Sequence, residues 1–308
     1  MRASTFDHPA LLYRTSDEYL AGTTGFVRAA RADGDRVLVA VPGDHLTLLR
    51  AALAGEEAGV AFADISESGR NPGRIIPSVL LQFAAEHADT RVSIVGEPVW
   101  PGRSALEYPA CATHEALINV AFAGRDATIL CPYDTSCLDA AMVDDARRTH
   151  PVLIEHGNRM PNDRYEEPLR TAARYNVPLP PPPDGAATMP YATGADLADV
   201  RAFVRRQSAG VLSAARAAEL MLAAHELAAN TITHTGGGGR IAVWPEPGLM
   251  ACQVDDTGHL ADPMAGRVPP PARQPSGRGL LLVNQLCDLV RLHTRPGATS
   301  IRIHILCG

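Results

Sequence analysis

Three polar residues spaced by four, in the helix-forming stretch "HELAANTITHT" at residues 225–235, have side chains suited to metal and proton chemistry. They are Glu226, Asn230 and His234, and this spacing stacks them along one face of a helix. A carboxylate can accept the proton of an attacking hydroxyl, and an amide oxygen is a ligand suited to Mg²⁺. A solvated polar stripe has the same spacing, so the interpretation needs support from other segments.

Two later segments carry chemistry of a compatible kind. In "VDDTG", residues 254–258, Asp256 ends a predicted strand and can accept a hydrogen bond from an exocyclic amine such as that of adenine. A plain Asp-x-Gly turn explains this segment equally well. In "SGRGLLLVNQL", residues 276–286, two glycines precede an apolar helix, where backbone amides can approach an anion. Helix capping is the alternative there, and neither a Walker loop nor a dinucleotide fingerprint is present.

In this order, the three segments resemble the N, G1 and G2 boxes of the GHKL ATPase superfamily, and within it the bacterial anti-sigma-factor serine kinases. The stretches that carry the resemblance are "ELAANTITHTGGGGRIAV", "VDDTG" and "GRGLLLVNQLCD". The resemblance implies an α+β GHKL (Bergerat) ATPase sandwich that binds ATP with Mg²⁺. It implies Glu226 as the catalytic base and Asn230 as the Mg²⁺ ligand. The ATP-binding residues that we predict are Asn230, His234, Asp256, Gly258, Gly277, Arg278, Gly279 and Leu280.

The G1 segment departs from the family pattern D-x-G-x-G. The run here is Asp256, Thr257, Gly258, His259 and Leu260, so the second glycine is missing. The predicted lid that follows, residues 261–276, is short and rich in proline. We expect the missing glycine to affect lid closure, nucleotide affinity and turnover more than the recognition of adenine.

The first half of the chain alternates short apolar runs with helical patterns. The predicted strands are "RVLVAVPG", "VAFADI", "RVSIVGEP" and "ATILCPYD". Strands separated by helices at this spacing predict a parallel sheet with right-handed crossovers. Residues 7–160 resemble the MEDS sensory domain in the stretches "HPALLYRTSDEYLAG", "VLVAVPGDHLTLLR", "GRNPGRIIP", "GEPVWPGRS", "HEALINVAF" and "LCPYDT". The resemblance implies a Rossmann-like or RecA-like α/β fold with a role in signal input.

A ligand of such a domain is expected at the carboxyl ends of its parallel strands. Polar residues in or near the loops at those ends are candidates to line a sensory pocket on one face. The candidates are Asp64, Arg70, Glu97, Trp100, His114, Glu115 and Asp134, with Asn71, Arg74 and Arg103 beside them. Turn formation at Asn-Pro-Gly and Trp-Pro-Gly is the structural alternative.

A proline-rich segment separates the two halves. We predict a sensory domain over residues 1–160, a linker over 161–193 and an ATPase-like domain over 194–308. The run "NVPLPPPPDGAATMPYATG" favours extended polyproline II structure and a semi-rigid spacer.

Composition narrows the classes of protein. The net charge of −6 and the pI of about 6.0 argue against nucleic-acid binding. Neither a signal peptide nor an apolar run of membrane-spanning length is found, so we expect a cytoplasmic protein without a membrane partner. Its six cysteines form no C-x-x-C pattern of the kind found in zinc or redox sites. Neither His114-Glu115 nor His225-Glu226 completes the H-E-x-x-H motif of zinc proteases.

These observations predict a cytoplasmic signalling regulator. Its ATPase-like domain is expected to be an ATP-dependent serine/threonine kinase of the anti-sigma-factor type, which phosphorylates a STAS-domain anti-sigma antagonist and binds a sigma factor under sensory control. One alternative is a non-catalytic scaffold that binds nucleotide or a partner. A histidine kinase ranks third, because only one helix precedes the N box. The apolar run "GLLLVNQLCDLV" is compatible with a homodimer contact and equally with a core helix.

Overall fold

The computed structural model describes residues 6–270 and 277–307. The second half of the predicted lid, residues 271–276, therefore lies outside the described residues. The chain divides into two compact units, residues 1–175 and 176–308. No helix in the described parts of the chain has the length and apolarity needed to cross a bilayer.

The N-terminal unit is built on a mixed sheet whose strands are mostly parallel. Its described strands are β1 (Phe6–Asp7), β2 (Pro9–Tyr13), β3 (Arg36–Val41), β4 (Val60–Asp64), β5 (Val92–Gly96), β6 (Ala127–Asp134), β7 (Val152–Glu155) and β8 (Asn158–Pro161). They pair in the order β4-β3-β5-β6-β2-β7-β8, with β1 also paired to β6. Only the β7–β8 pair is antiparallel within this described sheet. The parallel α/β architecture predicted from the sequence is thus confirmed, with an antiparallel edge added.

Eight α-helices are described in this unit. They are α1 (Ser16–Ala32), α2 (Gly43–Ala52), α3 (Ile65–Ser68), α4 (Pro72–Ile75), α5 (Leu81–Glu86), α6 (Tyr108–Ala121), α7 (Ala140–Thr149) and α8 (Pro168–Ala173). A π-helical turn, Ile76–Leu80, joins α4 to α5. Helices α1 and α2 pack on one face of the sheet over a core that includes Leu11, Val39 and Leu49. Since strand side chains alternate between faces, the intervening residues of β2 and β6 point to the opposite face.

The C-terminal unit is an antiparallel sheet with helices. Its strands are β9 (Ala187–Tyr191), β10 (Gly239–Glu246), β11 (Leu249–Asp256), β12 (Leu289–Arg295) and β13 (Ala298–Leu306). Its helices are α9 (Leu197–Ser208), α10 (Ala214–Thr235) and α11 (Gly279–Leu286). The strand order β12-β13-β11-β10-β9 is antiparallel throughout. Apolar residues from all three helices and the sheet share one core, which confirms the predicted α+β sandwich.

The segment predicted as a linker contains regular structure. Helix α8 lies within residues 161–193, and β9 forms the edge of the C-terminal sheet by pairing with β10. Proline at position 190 is tolerated there because an edge strand leaves one row of backbone groups unpaired. The segment therefore supplies a strand of the second unit in addition to joining the two halves of the chain.

Candidate functional site

Helix α10 presents the polar face that the sequence predicts. Glu226 and Asn230 are half-buried on it and His234 is exposed near its end. The helix begins after Ser213, whose side chain accepts the backbone N–H of Arg216, and it ends at Gly236. Gly236 has φ of 67°, a left-handed conformation that favours glycine at a helix C-terminus.

The glycine run after α10 lets the chain pass close to strand β9. A Cβ atom added to Gly238 would lie 1.9 Å from the backbone oxygen of Tyr191, and one added to Gly239 would lie 2.6 Å from the backbone oxygen of Asp255. A side chain at these positions would therefore displace backbone. The run stops the helix and allows a tight entry into β10.

The third segment reaches the polar face of α10. A Cβ atom added to Gly279 would lie 3.0 Å from Oε2 of Glu226 and 3.1 Å from Nδ2 of Asn230. The backbone at the start of α11 is thus directly apposed to both side chains. The side chain of Arg278, the residue before α11, makes no capping hydrogen bond to it, and the first N–H groups of a helix have no acceptor within the helix. Gly277 precedes it with φ of 93°, a conformation that favours glycine.

The other predicted residues of this segment are exposed or contact the lid. Arg278 and Gly277 are exposed, and Leu280 is half-buried beside the lid. A Cβ atom at Gly266 would lie 2.7 Å from Cβ of Leu280, and Nδ2 of Asn284 donates to the Gly266 carbonyl at 3.0 Å. The first part of the lid is therefore held against α11.

Asp256 is oriented by two hydrogen bonds. Its Oδ1 accepts the N–H of Gly258 at 2.7 Å, and its Oδ2 accepts the hydroxyl of Thr231 at 2.7 Å. Thr231 in turn accepts the hydroxyl of buried Tyr191 at 2.9 Å, and burial raises the pKa of that tyrosine to about 12. These bonds fix one carboxylate beside α10, where it can accept a further donor.

Sequence reasoning missed Thr231 and Tyr191. Thr231 adjoins Asn230 in the sequence. Helical spacing places Thr231 on the inner side of α10, and this spacing could have predicted that it faces the site. Tyr191 falls in the segment predicted as a linker, and nothing near it in the sequence points to Asp256. Its role depends on the pairing of β9 with β10.

In the N-terminal unit, the structure does not bring the sensory candidates to one face. Glu97 follows β5 and points to the side of α1 and α2, where His45 and Tyr19 lie. Glu115 lies on α6, against the opposite face of the sheet. Asp134 at the end of β6 is close enough to raise the pKa of Glu97 electrostatically, behind the larger effect of burial. The division follows from the alternation of side chains along each strand.

Glu97 is the centre of a small buried group. Its carboxylate lies 2.8 Å from Nδ1 of His45 and accepts the hydroxyl of Tyr19 at 3.2 Å. Burial raises the pKa of Glu97, while the hydrogen bond to Glu97 raises that of His45. The loops after β3 and β5 meet here, and the chain leaves these two neighbouring strands in opposite directions. Such a switch point is the usual ligand crevice of an α/β sheet.

Several other sensory candidates have structural roles. Asp64 caps α3 through its bonds to Ser66. Buried Arg103 donates to three backbone carbonyls, including that of Arg70, and stacks 3.9 Å from the ring of Trp100. The exposed Arg70 side chain and His114, which is buried on α6, lie outside the Glu97 group.

Two family models match the chain, one within each of its two compact units. Residues 7–151 match the model of the MEDS domain, described as the methanogen/methylotroph, DcmR sensory domain. Residues 191–305 match the model of the histidine kinase-like ATPase domain. The chain thus contains a MEDS domain followed by a histidine kinase-like ATPase domain. No curated protein matches the chain.

The ATPase domain implies ATP binding, usually with Mg²⁺, and the residues present fit that ligand. Gly279 leaves open the space beside Glu226 and Asn230 that a side chain would fill. Asn230 would hold Mg²⁺ through its amide oxygen, the N–H groups of α11 would face the phosphates, and Asp256 would accept from adenine. Together with the MEDS domain, this makes the chain a signalling protein of the regulator or kinase-like kind.

Proposed function

We propose that the ATPase domain is an ATP-dependent serine/threonine kinase of the anti-sigma-factor type, regulated by the MEDS domain. The apposition of Gly279 to Glu226 and Asn230 is the observation that carries the proposal. It puts a carboxylate, an amide and a helix N-terminus around one space, which are the groups that phosphoryl transfer needs.

Each group has a defined task in this proposal. Bound Mg²⁺–ATP supplies the transferable γ-phosphoryl group. Asp256 and its Thr231 bond orient the nucleotide, and the amides of α11 hold the phosphates. Glu226 accepts the proton of the attacking serine or threonine hydroxyl as the hydroxyl oxygen bonds to the γ-phosphorus, while the bond from that phosphorus to the bridging oxygen breaks and ADP leaves. The proposed acceptor is a STAS-domain anti-sigma antagonist, and a sigma factor is the proposed binding partner.

Calorimetric titration of Mg²⁺–ATP is the first test. The wild type is expected to bind, and Asp256→Asn is expected to lose at least tenfold in affinity, since the amide offers a donor where adenine needs an acceptor. Asp199→Asn, at an exposed position on α9 and outside the three segments, is the matched control. Absence of binding to folded wild type would refute the nucleotide site.

Transfer is tested separately with a STAS-domain substrate from the same genome. Glu226→Gln is expected to keep Mg²⁺–ATP binding and to reduce the transfer rate by 100-fold or more. Acid-stable phosphate on the substrate supports serine or threonine as the acceptor, whereas acid-labile phosphate on the chain itself would indicate a histidine kinase. Unchanged transfer by Glu226→Gln would remove this residue as the base.

A non-catalytic nucleotide- or partner-binding scaffold is the second candidate. Leu260 stands where the G1 pattern has its second glycine, and its N–H is bonded to Oγ1 of Thr294 at 2.9 Å. This bond ties the start of the lid to β12 and favours a lid that moves little. Tight ATP binding without transfer to any STAS-domain protein would support the scaffold.

A further inference from the structure

Four buried side chains of the MEDS domain converge on one point. They are His8, Glu115, Cys131 and His150, and each is at most 2 % exposed. One ligand atom from each lies within 4.8 Å of all the others. The residues come from the β1–β2 junction, helix α6, strand β6 and the segment before β7. Neither the nucleotide site nor the Glu97 group includes any of them.

The tautomer of His8 follows from its neighbours. Asn119 donates through Nδ2 to the carbonyl of Thr149 at 2.9 Å, so its Oδ1 is the atom that faces His8. Nδ1 of His8 lies 3.1 Å from this oxygen and must donate to it. The lone pair of Nε2 then points inward, 3.4 Å from Sγ of Cys131 and 3.7 Å from Oε2 of Glu115.

His150 has the same arrangement. Its Nδ1 lies 2.8 Å from the carbonyl oxygen of Ala146, which can only accept, so Nδ1 is protonated. Its Nε2 lies 3.2 Å from Oε2 of Glu115. Neither carboxylate oxygen of Glu115, nor Nε2 of His150, has a hydrogen-bond partner among the described residues. The carboxylate oxygens and both Nε2 atoms are therefore acceptors, and the thiol of Cys131 is the one donor that the four side chains turn toward them. Such an excess of acceptors in the dry interior is costly unless a cation lies between them.

The distances suit a tetrahedral metal ion. Ligand bonds of about 2.0–2.3 Å place neighbouring ligand atoms about 3.3–3.8 Å apart. Three of the six separations in the group are 3.2, 3.4 and 3.7 Å, and the others are at most 4.8 Å, so small side-chain shifts would complete the site. Histidines that donate their other ring nitrogen to an oxygen are typical of metal ligands. With a thiolate, a carboxylate and two neutral imidazoles, a divalent ion makes the buried group electrically neutral.

We propose that His8, Glu115, Cys131 and His150 bind one zinc ion in the MEDS domain. Binding releases the thiol proton of Cys131 as the sulfur–zinc bond forms. All four positions of the ion are taken by protein, as in structural zinc sites. The ion would therefore tie α6, β6 and the first strands together and would not itself activate water.

Elemental analysis of the purified full-length chain tests the site. The wild type is expected to contain about one zinc per chain, and Cys131→Ala is expected to lose it. Cys111→Ala is the matched control, because Cys111 is also fully buried but is not part of the group. If Cys131→Ala fails to fold, Glu115→Gln, which keeps the side-chain shape, is measured for the same loss.

Cobalt substitution gives a second readout. Chelator-treated wild type loaded with Co²⁺ is expected to show thiolate charge-transfer absorption and the intense visible bands of tetrahedral coordination, and Cys111→Ala is expected to retain both. Asn119→Ala, which removes the acceptor for His8, is expected to weaken Zn²⁺ affinity 10- to 100-fold. Folded wild type that neither contains metal nor takes up Zn²⁺ or Co²⁺ would overturn the site and leave a proton-bridged ion pair. Zinc retained in Cys131→Ala would overturn this ligand set.

Discussion

At the scale of single residues, the proposed nucleotide site depends on an absent side chain as much as on the polar groups. Gly279 is the first residue of α11 and has no steric need for glycine in its own helix. The nearest atoms that a Cβ would meet belong to Glu226 and Asn230. Glycine is therefore needed at this position to leave space between α10 and α11, and not to allow a particular backbone conformation.

Gly279→Ala separates these two roles. Alanine favours the helix by up to about 1 kcal/mol, so the free energy of unfolding is expected to stay equal or rise. Mg²⁺–ATP affinity is expected to fall about tenfold, because Glu226 and Asn230 must shift. Calorimetry and urea unfolding measure the two effects. Gly25→Ala, in α1 with nothing within 4 Å of the new Cβ, should leave ATP affinity unchanged.

The pair of His45 and Glu97 makes stability depend on pH. The pKa of His45 is raised by its bond to Glu97, so its stabilising effect is complete below the unfolded pKa of about 6.5 and is lost as pH rises through the folded pKa. The difference in Tm between wild type and His45→Gln is expected to shrink as the pH rises above about 6.5.

The control for this prediction is a double-mutant cycle. In a Glu97→Gln background, His45→Gln should cause a much smaller pH-dependent change in Tm, because the partner that most raises the pKa of His45 is gone and only the weaker effects of Asp134 and Asp44 remain. A difference that grows with pH, or that persists unchanged in this background, would contradict the assignment of the effect to this pair.

At the scale of elements, the passage from α10 into β10 depends on particular glycines of the run of four. Gly238 approaches the backbone of Tyr191 and Ala192, whereas a Cβ at Gly237 would meet only the hydroxyl of Thr235, at 3.9 Å. Neither Gly237 nor Gly238 has a positive φ. The two positions therefore differ in contact and not in backbone conformation.

Gly238→Ala is expected to lower the free energy of unfolding by about 2 kcal/mol or more, since the new atom overlaps backbone that cannot move without breaking the β9–β10 pairing. Gly237→Ala is expected to change it by less than about 0.5 kcal/mol. Urea unfolding of both variants measures the difference. Equal losses would show that the run is needed for flexibility alone.

At the scale of the whole molecule, the second unit begins before the matched ATPase domain. Strand β9 pairs with β10, and Tyr191 is buried against α10. Earlier still, the side chain of Asn176 exchanges two hydrogen bonds with the backbone of Thr294, at 2.7 and 2.9 Å. Residues ahead of position 194 are thus part of this folding unit.

Two fragments test this point. The fragment 176–308 is expected to unfold cooperatively and to bind Mg²⁺–ATP as the full chain does. The fragment 194–308, which begins at the predicted domain start, lacks β9 and is expected to be less stable by at least about 3 kcal/mol, the usual loss for a buried aromatic side chain. Thermal unfolding and calorimetry of both fragments are the measurements. Equal stability would show that β9 is dispensable.

The sequence by itself predicted most of the elements and the groups of the proposed nucleotide site. Hydrophobic periodicity predicts helices and strands because it depends on neighbouring residues only. The spacing of Glu226 and Asn230 on one helix, together with the glycines of α11, is likewise a pattern that the sequence alone shows. Only tertiary structure decided what depends on distant pairing. The strand β9 pairs with β10, and only that pairing brings Tyr191 to Thr231, the residue that donates to Asp256. His8 meets Glu115 and Cys131 across more than 100 residues of chain, and His150 joins them from a third segment, so no local spacing marks a site.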